Sequence, residues 1–208
     1  YNNLASTTKR LEKTSIVANL LRQTKKQELK DVVYLFQGTV FPEWEDKKIG
    51  FSSRLVIKAI AKATGRSQKD IEEAWSKQGD LGLVAERCIT KKTQTTLVST
   101  GLTTPKVITN IRKLAEMEGP GTVERKVGLV TELLTSASPE EAKFIIKTVL
   151  EELRVGIAGG VISEAIAKAF DQNAKEVDFA YYTTGDYGEV AVLAREGKLA
   201  TAKLEPGK

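Results

Sequence analysis

Apolar residues recur along this chain at three- and four-residue intervals and almost nowhere in strict alternation, a pattern that predicts helices and no sheet. Leu4, Leu11, Val17, Leu20 and Leu21 fall near one face of a helix over residues 4–22. Leu29, Val32, Val33, Leu35 and Phe36 repeat the pattern over 28–40, with Phe41-Pro42 as the stop. Ser52 or Ser53 reads as the N-cap of a helix over 54–64 that Gly65 ends. Ser67 followed by Asp70 opens a short helix through Trp75, and Gly79-Asp80 reads as a C-cap plus the N-cap of the next. Pro105 opens a helix to Glu118, and Gly119-Pro120-Gly121 breaks it. Further helices are expected over 123–135, 139–153, 160–170, 174–182 and 187–195. The Thr-rich run 89–103 has no helical stripe and reads as a linker, and 199–208 as an extended tail. The fold class is all-α, with about 10–12 helices.

The chain also resembles itself. Residues 50–88 align without a gap on 156–194, with 13 of 39 pairs identical, among them Gly50/Gly156, Gly79/Gly185, Asp80/Asp186 and Gly82/Gly188. Upstream, DVVYLF at 31–36 matches EAKFII at 141–146, and KTSIVANLL at 13–21 matches KVGLVTELL at 126–134. The expected organisation is two tandem repeats, 1–88 and 104–198, joined by the linker 89–103 and related by a pseudo-twofold axis. Asp80 and Asp186 cap short helices in this reading, and Trp44 and Trp75 pack rather than stack on bases.

Composition narrows the chemistry. There is no histidine and one cysteine, Cys88. This removes His-based acid–base catalysis, Ser–His and Cys–His nucleophile pairs, and any transition-metal cluster. The lone cysteine points to a reducing, cytoplasmic compartment. No apolar run approaches the roughly 20 residues that span a bilayer, so no membrane partner is expected. The charge is uneven: residues 1–100 hold 18 Lys/Arg against 11 Asp/Glu, net +7, and 101–208 hold 14 against 16, net −2. A basic surplus of this kind fits a polyanionic partner. The chain reads as a binding module.

The stretch LRVGIAGGVISEAIAKAF at 153–170 joins Arg154 to Gly156, Gly159 and Gly160 and then opens an amphipathic helix. A helix start of this kind directs free N–H groups and the positive end of the dipole at one point, where an anion is held. Its echo after Gly50 makes two such starts. Two anion sites suit the two phosphate strands flanking a minor groove.

GDLGLVAE at 79–86, EAKFI at 141–145, the stretch 153–170 and the overall length resemble the N-terminal DNA-binding domain of ATP-dependent DNA ligases, the archaeal branch most closely. The resemblance implies an all-helical, pseudo-twofold domain that grips the minor groove of nicked duplex DNA, without sequence preference and mostly through phosphates. The parent enzyme would seal nicks in replication, repair and recombination with ATP and Mg²⁺. The ligase signature Lys-x-Asp-Gly is absent, so this piece is expected to be inactive alone. Residues 1–198 would form the DNA-binding domain, and LEPGK at 204–208 resembles the lead-in to an adenylation domain, making 199–208 the start of that connection.

By motif match, the DNA contacts come from Arg154, Gly156, Ala158, Gly159 and Gly160, with Lys48, Gly50, Ser52, Ser53 and Arg54 as their equivalents. A second pair of loops supplies Thr8, Arg10 and Lys13, with Gly121, Thr122, Arg125 and Lys126 opposite. The chain departs from its relatives at Glu152, where they often carry a basic residue. Some archaeal ligases bind a sliding clamp from the linker, through a Gln followed three residues on by an aromatic pair. Gln94 is kept here, but Leu97 and Val98 replace the aromatics, which removes the two main anchors of a clamp contact. The alternative reading is a helical-repeat scaffold that presents a groove to another protein. A basic surface coinciding with the helix starts separates the two.

Overall fold

A computed structural model of the chain describes residues 1–90, 101–154 and 157–204. Among these there are twelve α-helices and no strand: α1 (Asn2–Ala5), α2 (Arg10–Gln23), α3 (Leu29–Gln37), α4 (Ser53–Thr64), α5 (Gln68–Gln78), α6 (Leu81–Thr90), α7 (Thr104–Glu116), α8 (Thr122–Ser136), α9 (Pro139–Val149), α10 (Gly159–Phe170), α11 (Ala174–Thr184) and α12 (Tyr187–Arg195). None is long and apolar enough to cross a membrane. Most follow the apolar periodicity to within a few residues. Three places differ.

The helix expected over 4–22 is two, separated at residues 6–9. The Ser6 and Thr7 hydroxyls compete for the backbone there: Thr7 Oγ1 accepts from the Lys9 N–H at 3.2 Å and Ser6 Oγ donates to the Asn3 carbonyl at 2.8 Å. Leu11 and Leu20, placed on the buried face by the pattern, are 78% and 45% exposed. The helix expected to stop at Phe41-Pro42 stops at Gly38, which takes the left-handed conformation at φ 80°. The tail, read as extended, begins with a 3₁₀ turn at Leu199–Thr201, whose Leu199 is buried. Trp44 is 38% exposed rather than packed away.

The chain divides into two compact units. Unit 1 holds residues 1–46 and 154–208 and buries its core between α2 and α10 and between α3 and α12, around Val17, Leu21, Val33, Ile162, Ile166 and Val190. Unit 2 holds residues 47–153 and pairs α4 with α8 and α6 with α9, burying Ile60, Leu81, Leu133 and Ile146. The boundaries do not coincide with residues 1–88 and 104–198. Each unit takes helices from both of those stretches. The 106-residue offset of the sequence alignment carries α4 (53–64) onto α10 (159–170) and α5 (68–78) onto α11 (174–184), residue for residue.

Two turns repeat as well. Asp80 Oδ1 accepts from the Leu83 N–H at 3.0 Å, and Asp186 Oδ1 accepts from Gly188 at 2.7 Å and Glu189 at 3.1 Å. These are the N-caps of α6 and α12 that the sequence predicts. Behind each cap a helical glycine lets a neighbouring helix come close. A methyl on Gly188 would stand 2.7 Å from the Tyr34 ring, and one on Gly82 would stand 2.9 Å from the Lys143 carbonyl oxygen. In an open helix Gly→Ala stabilises by about 0.5–1 kcal/mol. Gly128 in α8 has that room, with nothing within 4 Å. Gly188→Ala is therefore expected to destabilise by about 1–3 kcal/mol through overpacking, while Gly128→Ala raises stability. Paired thermal melts check the opposite signs.

Candidate nucleic-acid interface

In unit 1, α2 and α10 lie side by side and run in the same direction. At one end Arg10 Nη2 donates to Glu164 Oε1 at 2.8 Å, and Thr14 reaches the same carboxylate at 3.3 Å. At the other end Arg22 donates to the carbonyls of Lys168 at 2.9 Å and Ala169 at 3.3 Å, satisfying the last turn of α10. The two helix starts therefore share one end of the pair. Arg10 lies over the start of α10, its guanidinium 3.0 Å from where a Gly160 side chain would begin. The expected residues Thr8, Arg10 and Lys13 thus join Ala158, Gly159 and Gly160 in the same unit, together with the exposed Arg154. Gly156 lies outside the described residues.

Gly159 has a second constraint. The Tyr187 hydroxyl would stand 2.9 Å from a methyl placed there, so the tyrosine fits under the first turn of α10 only because the residue is glycine. Tyr187 is held in turn by a stack on Tyr181, with centroids 3.7 Å apart and planes at 6°. Tyr181 donates to Glu43 at 2.9 Å. Burial and then the Glu43 carboxylate push the Tyr181 hydroxyl up to about 12, so it stays protonated at neutral pH.

Unit 2 joins the other two sets. The start of α4, with Lys48, Gly50, Ser52, Ser53 and Arg54, belongs to the same unit as the start of α8, with Gly121, Thr122, Arg125 and Lys126. Gly50 and Gly121 adopt the left-handed conformation, at φ 61° and 76°. Lys48, Ser52, Arg54, Gly121 and Arg125 are exposed. Thr122 is different. Its side chain is buried and its hydroxyl donates to the Gly119 carbonyl at 2.8 Å, which leaves only its backbone for a ligand.

Between the helices of this pair, Glu124 bridges Lys58 and Lys62, the latter at 2.8 Å. Hydrogen bonds from Lys58 and then Lys62 hold the Glu124 carboxyl at about 2. Glu124, Glu164 and Tyr187 carry no local sequence signal. Glu164 is 154 residues from Arg10 and Glu124 is 66 from Lys58, so only the fold brings them to the helix starts.

Helix capping sorts the molecule. The starts of α5, α7, α9, α11 and α12 are closed by side chains of Ser67, Thr103, Ser138, Asn173 and Asp186, and that of α6 by Asp80. The one-turn α1 has no side-chain cap, and α3 has none but continues a 3₁₀ turn at Lys26–Glu28, with the Leu29 N–H on the Lys26 carbonyl. Among the remaining helices the starts of α2, α4, α8 and α10 carry no side-chain cap. These four are the helices whose starts the sequence marks as sites. Their first-turn N–H groups are left for a ligand or solvent. The clamp-motif residues Gln94, Leu97 and Val98 lie outside the described residues. Among the described residues, no group of three or more His, Cys, Asp or Glu is placed to hold a metal ion.

Residues 1–167 match the family model described as "DNA ligase N terminus". Over its whole length the chain is 44% identical to the DNA ligase of Methanothermobacter thermautotrophicus and 41% identical to that of Methanobrevibacter smithii, covering 38% of each. It is also 38% identical to the DNA ligase of Thermococcus onnurineus, with 98% of this chain aligned on 36% of that protein. The chain belongs to the DNA ligase N-terminus family. It spans well under half the length of these relatives.

Proposed function

We propose that this chain binds nicked duplex DNA through the backbone along the minor groove, without sequence preference, as the N-terminal domain of an ATP-dependent DNA ligase. One observation carries the reading. Leaving aside the one-turn α1 and α3, which continues a 3₁₀ turn at Lys26–Glu28, the described helices without a side-chain cap are the four whose starts bear Arg10, Arg54, Arg125 and the Gly159-Gly160 pair that follows Arg154, while the other six are closed by a side chain. Uncapped N–H groups beside arginine bind phosphate oxygens and carry no base information. Each unit supplies one such paired start, so each grips the backbone once. Residues 1–198 act together as the DNA-binding domain, and the chain from 199 onward leads to the rest of the enzyme. That remainder would supply ATP and Mg²⁺ chemistry.

Internal duplication, with one repeat over 1–88 and the other over 104–198, accounts for the residue-for-residue offset of α4–α5 on α10–α11. It also accounts for the like pairing in each unit, where α4 on α8 and α6 on α9 correspond to α10 on α2 and α12 on α3. A sliding clamp contact through Gln94, Leu97 and Val98 would be weak without aromatic anchors.

The site is tested by Arg154→Gln, Arg54→Gln and the double variant. Each single change should weaken nicked-duplex binding by about five- to tenfold at physiological salt and lower the salt slope by about 1, uniformly across DNA sequences. Unchanged binding by the double variant would remove the helix starts from the interface. A protein-binding scaffold, the alternative, would leave DNA affinity negligible throughout.

A further inference from the structure

Arg54 at the start of α4 opens a row of cations whose other members the helix-start reading does not use. Arg54, Lys58 and Lys62 follow one another at intervals of four, so they climb one side of the helix over about 12 Å of its axis, and Arg66 comes just past its end at Gly65. Like charges at this spacing repel, and a solvent-facing helix ordinarily interleaves acids among them. α4 has none: from Ser53 to Thr64 it contains no Asp or Glu. Lys58, Lys62 and Arg66 line a cavity of about 430 Å³ at the corner between α4 and α5, together with Ser67 and Gln68. The only carboxylate that reaches the row among the described residues comes from another helix. It is Glu124, whose two oxygens take Lys58 and Lys62 separately.

That carboxylate is 57% exposed, and both lysines keep part of their surface in solvent. A pair so placed contributes little to stability and is readily exchanged. Geometrically it is a fork of two ammonium groups with an oxyanion in it, and the oxyanion belongs to the protein itself. That one carboxylate takes two of the three cations that line the cavity, which leaves a positive surplus there.

We infer that the α4–α5 cavity is a further phosphate site for the DNA backbone, built by Lys58, Lys62 and Arg66, and that Glu124, from outside the cavity lining, holds the two lysines as an internal substitute until a phosphodiester displaces it. This rests on the reading of the chain as a duplex-DNA binder and extends it. The backbone held at the starts of α4 and α8 continues along α4 rather than leaving the protein there. Glu124 then lowers DNA affinity by competing for the two lysines, and it prevents the row from taking up stray anions. The substitution that removes the competitor should therefore improve binding, whereas a carboxylate that only braces α4 against α8 would give no gain when removed.

The experiment measures anisotropy of a labelled nicked duplex over a salt series for four proteins: the parent chain, Glu124→Gln, Lys58→Gln with Lys62→Gln, and the triple variant. Thermal melts confirm that each is folded. Glu124→Gln is expected to bind about two- to fivefold more tightly, with a salt slope steeper by about 1–2. The lysine pair should bind more weakly, and Glu124→Gln in that background should change nothing. Equal or weaker binding by Glu124→Gln overturns the inference while leaving duplex binding by the parent chain intact. So does a gain of the same size in the lysine-pair background, which would mark only the long-range charge change. Parallel melts with inorganic phosphate separate the sources of the anion. A stabilisation of Glu124→Gln by phosphate with no change in duplex affinity would assign the cavity to a small anion and overturn the DNA assignment. Failure of the parent chain to bind duplex at low salt removes this inference together with the reading beneath it.

Discussion

Asp186→Ala is expected to destabilise the protein by about 2–4 kcal/mol, the largest effect of any single polar substitution away from the DNA site. Asp186 is 4% exposed. One of its oxygens closes the start of α12 by accepting from Gly188 and Glu189. Both oxygens accept from the buried Tyr34 hydroxyl, at 3.1 and 2.9 Å. Alanine removes the cap, worth about 1 kcal/mol. It also strips the Tyr34 hydroxyl of both carboxylate acceptors in a dry environment, which costs about 1–3 kcal/mol more. At this chain length each kcal/mol lowers the melting temperature by roughly 2–4 °C, so a fall of about 5–15 °C is expected.

Asp80, its counterpart at the start of α6, provides the control. Its side chain is 29% exposed and its second partner is Lys147 at 2.7 Å, itself 25% exposed. Desolvation raises its pKa, but the hydrogen bond and charge of Lys147, with the Leu83 and Gly82 N–H groups, outweigh this and hold it below the ordinary aspartate value. Asp80→Ala should cost only about 1 kcal/mol, the worth of a cap. A melt in which Asp80→Ala matched or exceeded Asp186→Ala would refute the burial argument. Because the folded pKa of Asp80 is depressed, its contribution is complete above the unfolded aspartate value near 4 and is lost as pH falls below it.

The local chemistry of this fold was legible in the sequence, and its pairing was not. Gly79-Asp80 and Gly185-Asp186 announce a helix end followed by a helix start because left-handed glycine and a capping carboxylate are needed at those places. The start of α10 could be read from a different signal, the glycines directly ahead of an amphipathic run. Periodicity says which face of a helix is buried, but not which helix covers it. So nothing in residues 10–23 indicates that α2 packs on α10, 150 residues away, and nothing in α4 indicates α8. The division into units 1–46 with 154–208 and 47–153 follows from those pairings. It therefore lay beyond a reading of linker and repeat boundaries.

The candidate site shows the same split. Arginines and glycines beside helix starts carry a local signature, which singled out Arg154 in the stretch 153–170, whereas Arg10, Arg54 and Arg125 came from the resemblance to the ligase domain. Their acidic neighbours Glu124 and Glu164 were found by neither, because an acid in a helix matches many harmless solvent contacts. Thr122 fitted the motif yet turns its hydroxyl to Gly119. The break at residues 6–9 also escaped the apolar pattern. It arises from hydroxyl side chains competing for the backbone, which leaves no mark in hydrophobicity.

The second large effect is on DNA affinity. Binding built on phosphates releases counterions, with a slope of about −0.9 in log K against log salt for each phosphate neutralised. Four uncapped helix starts with their arginines amount to roughly four to six phosphates. Affinity should then fall by about 100- to 1,000-fold between 50 and 200 mM salt, with no dependence on base sequence. Apolar or hydrogen-bonded recognition of a protein partner would show no such slope.

The most direct measurement is the affinity of the chain for a labelled nicked duplex, titrated from 50 to 200 mM salt with two unrelated sequences. The account predicts tight binding at low salt, a slope of about −4 to −5, and coincident curves for both sequences. Absence of binding at 50 mM salt, or affinity that does not respond to salt, would contradict it.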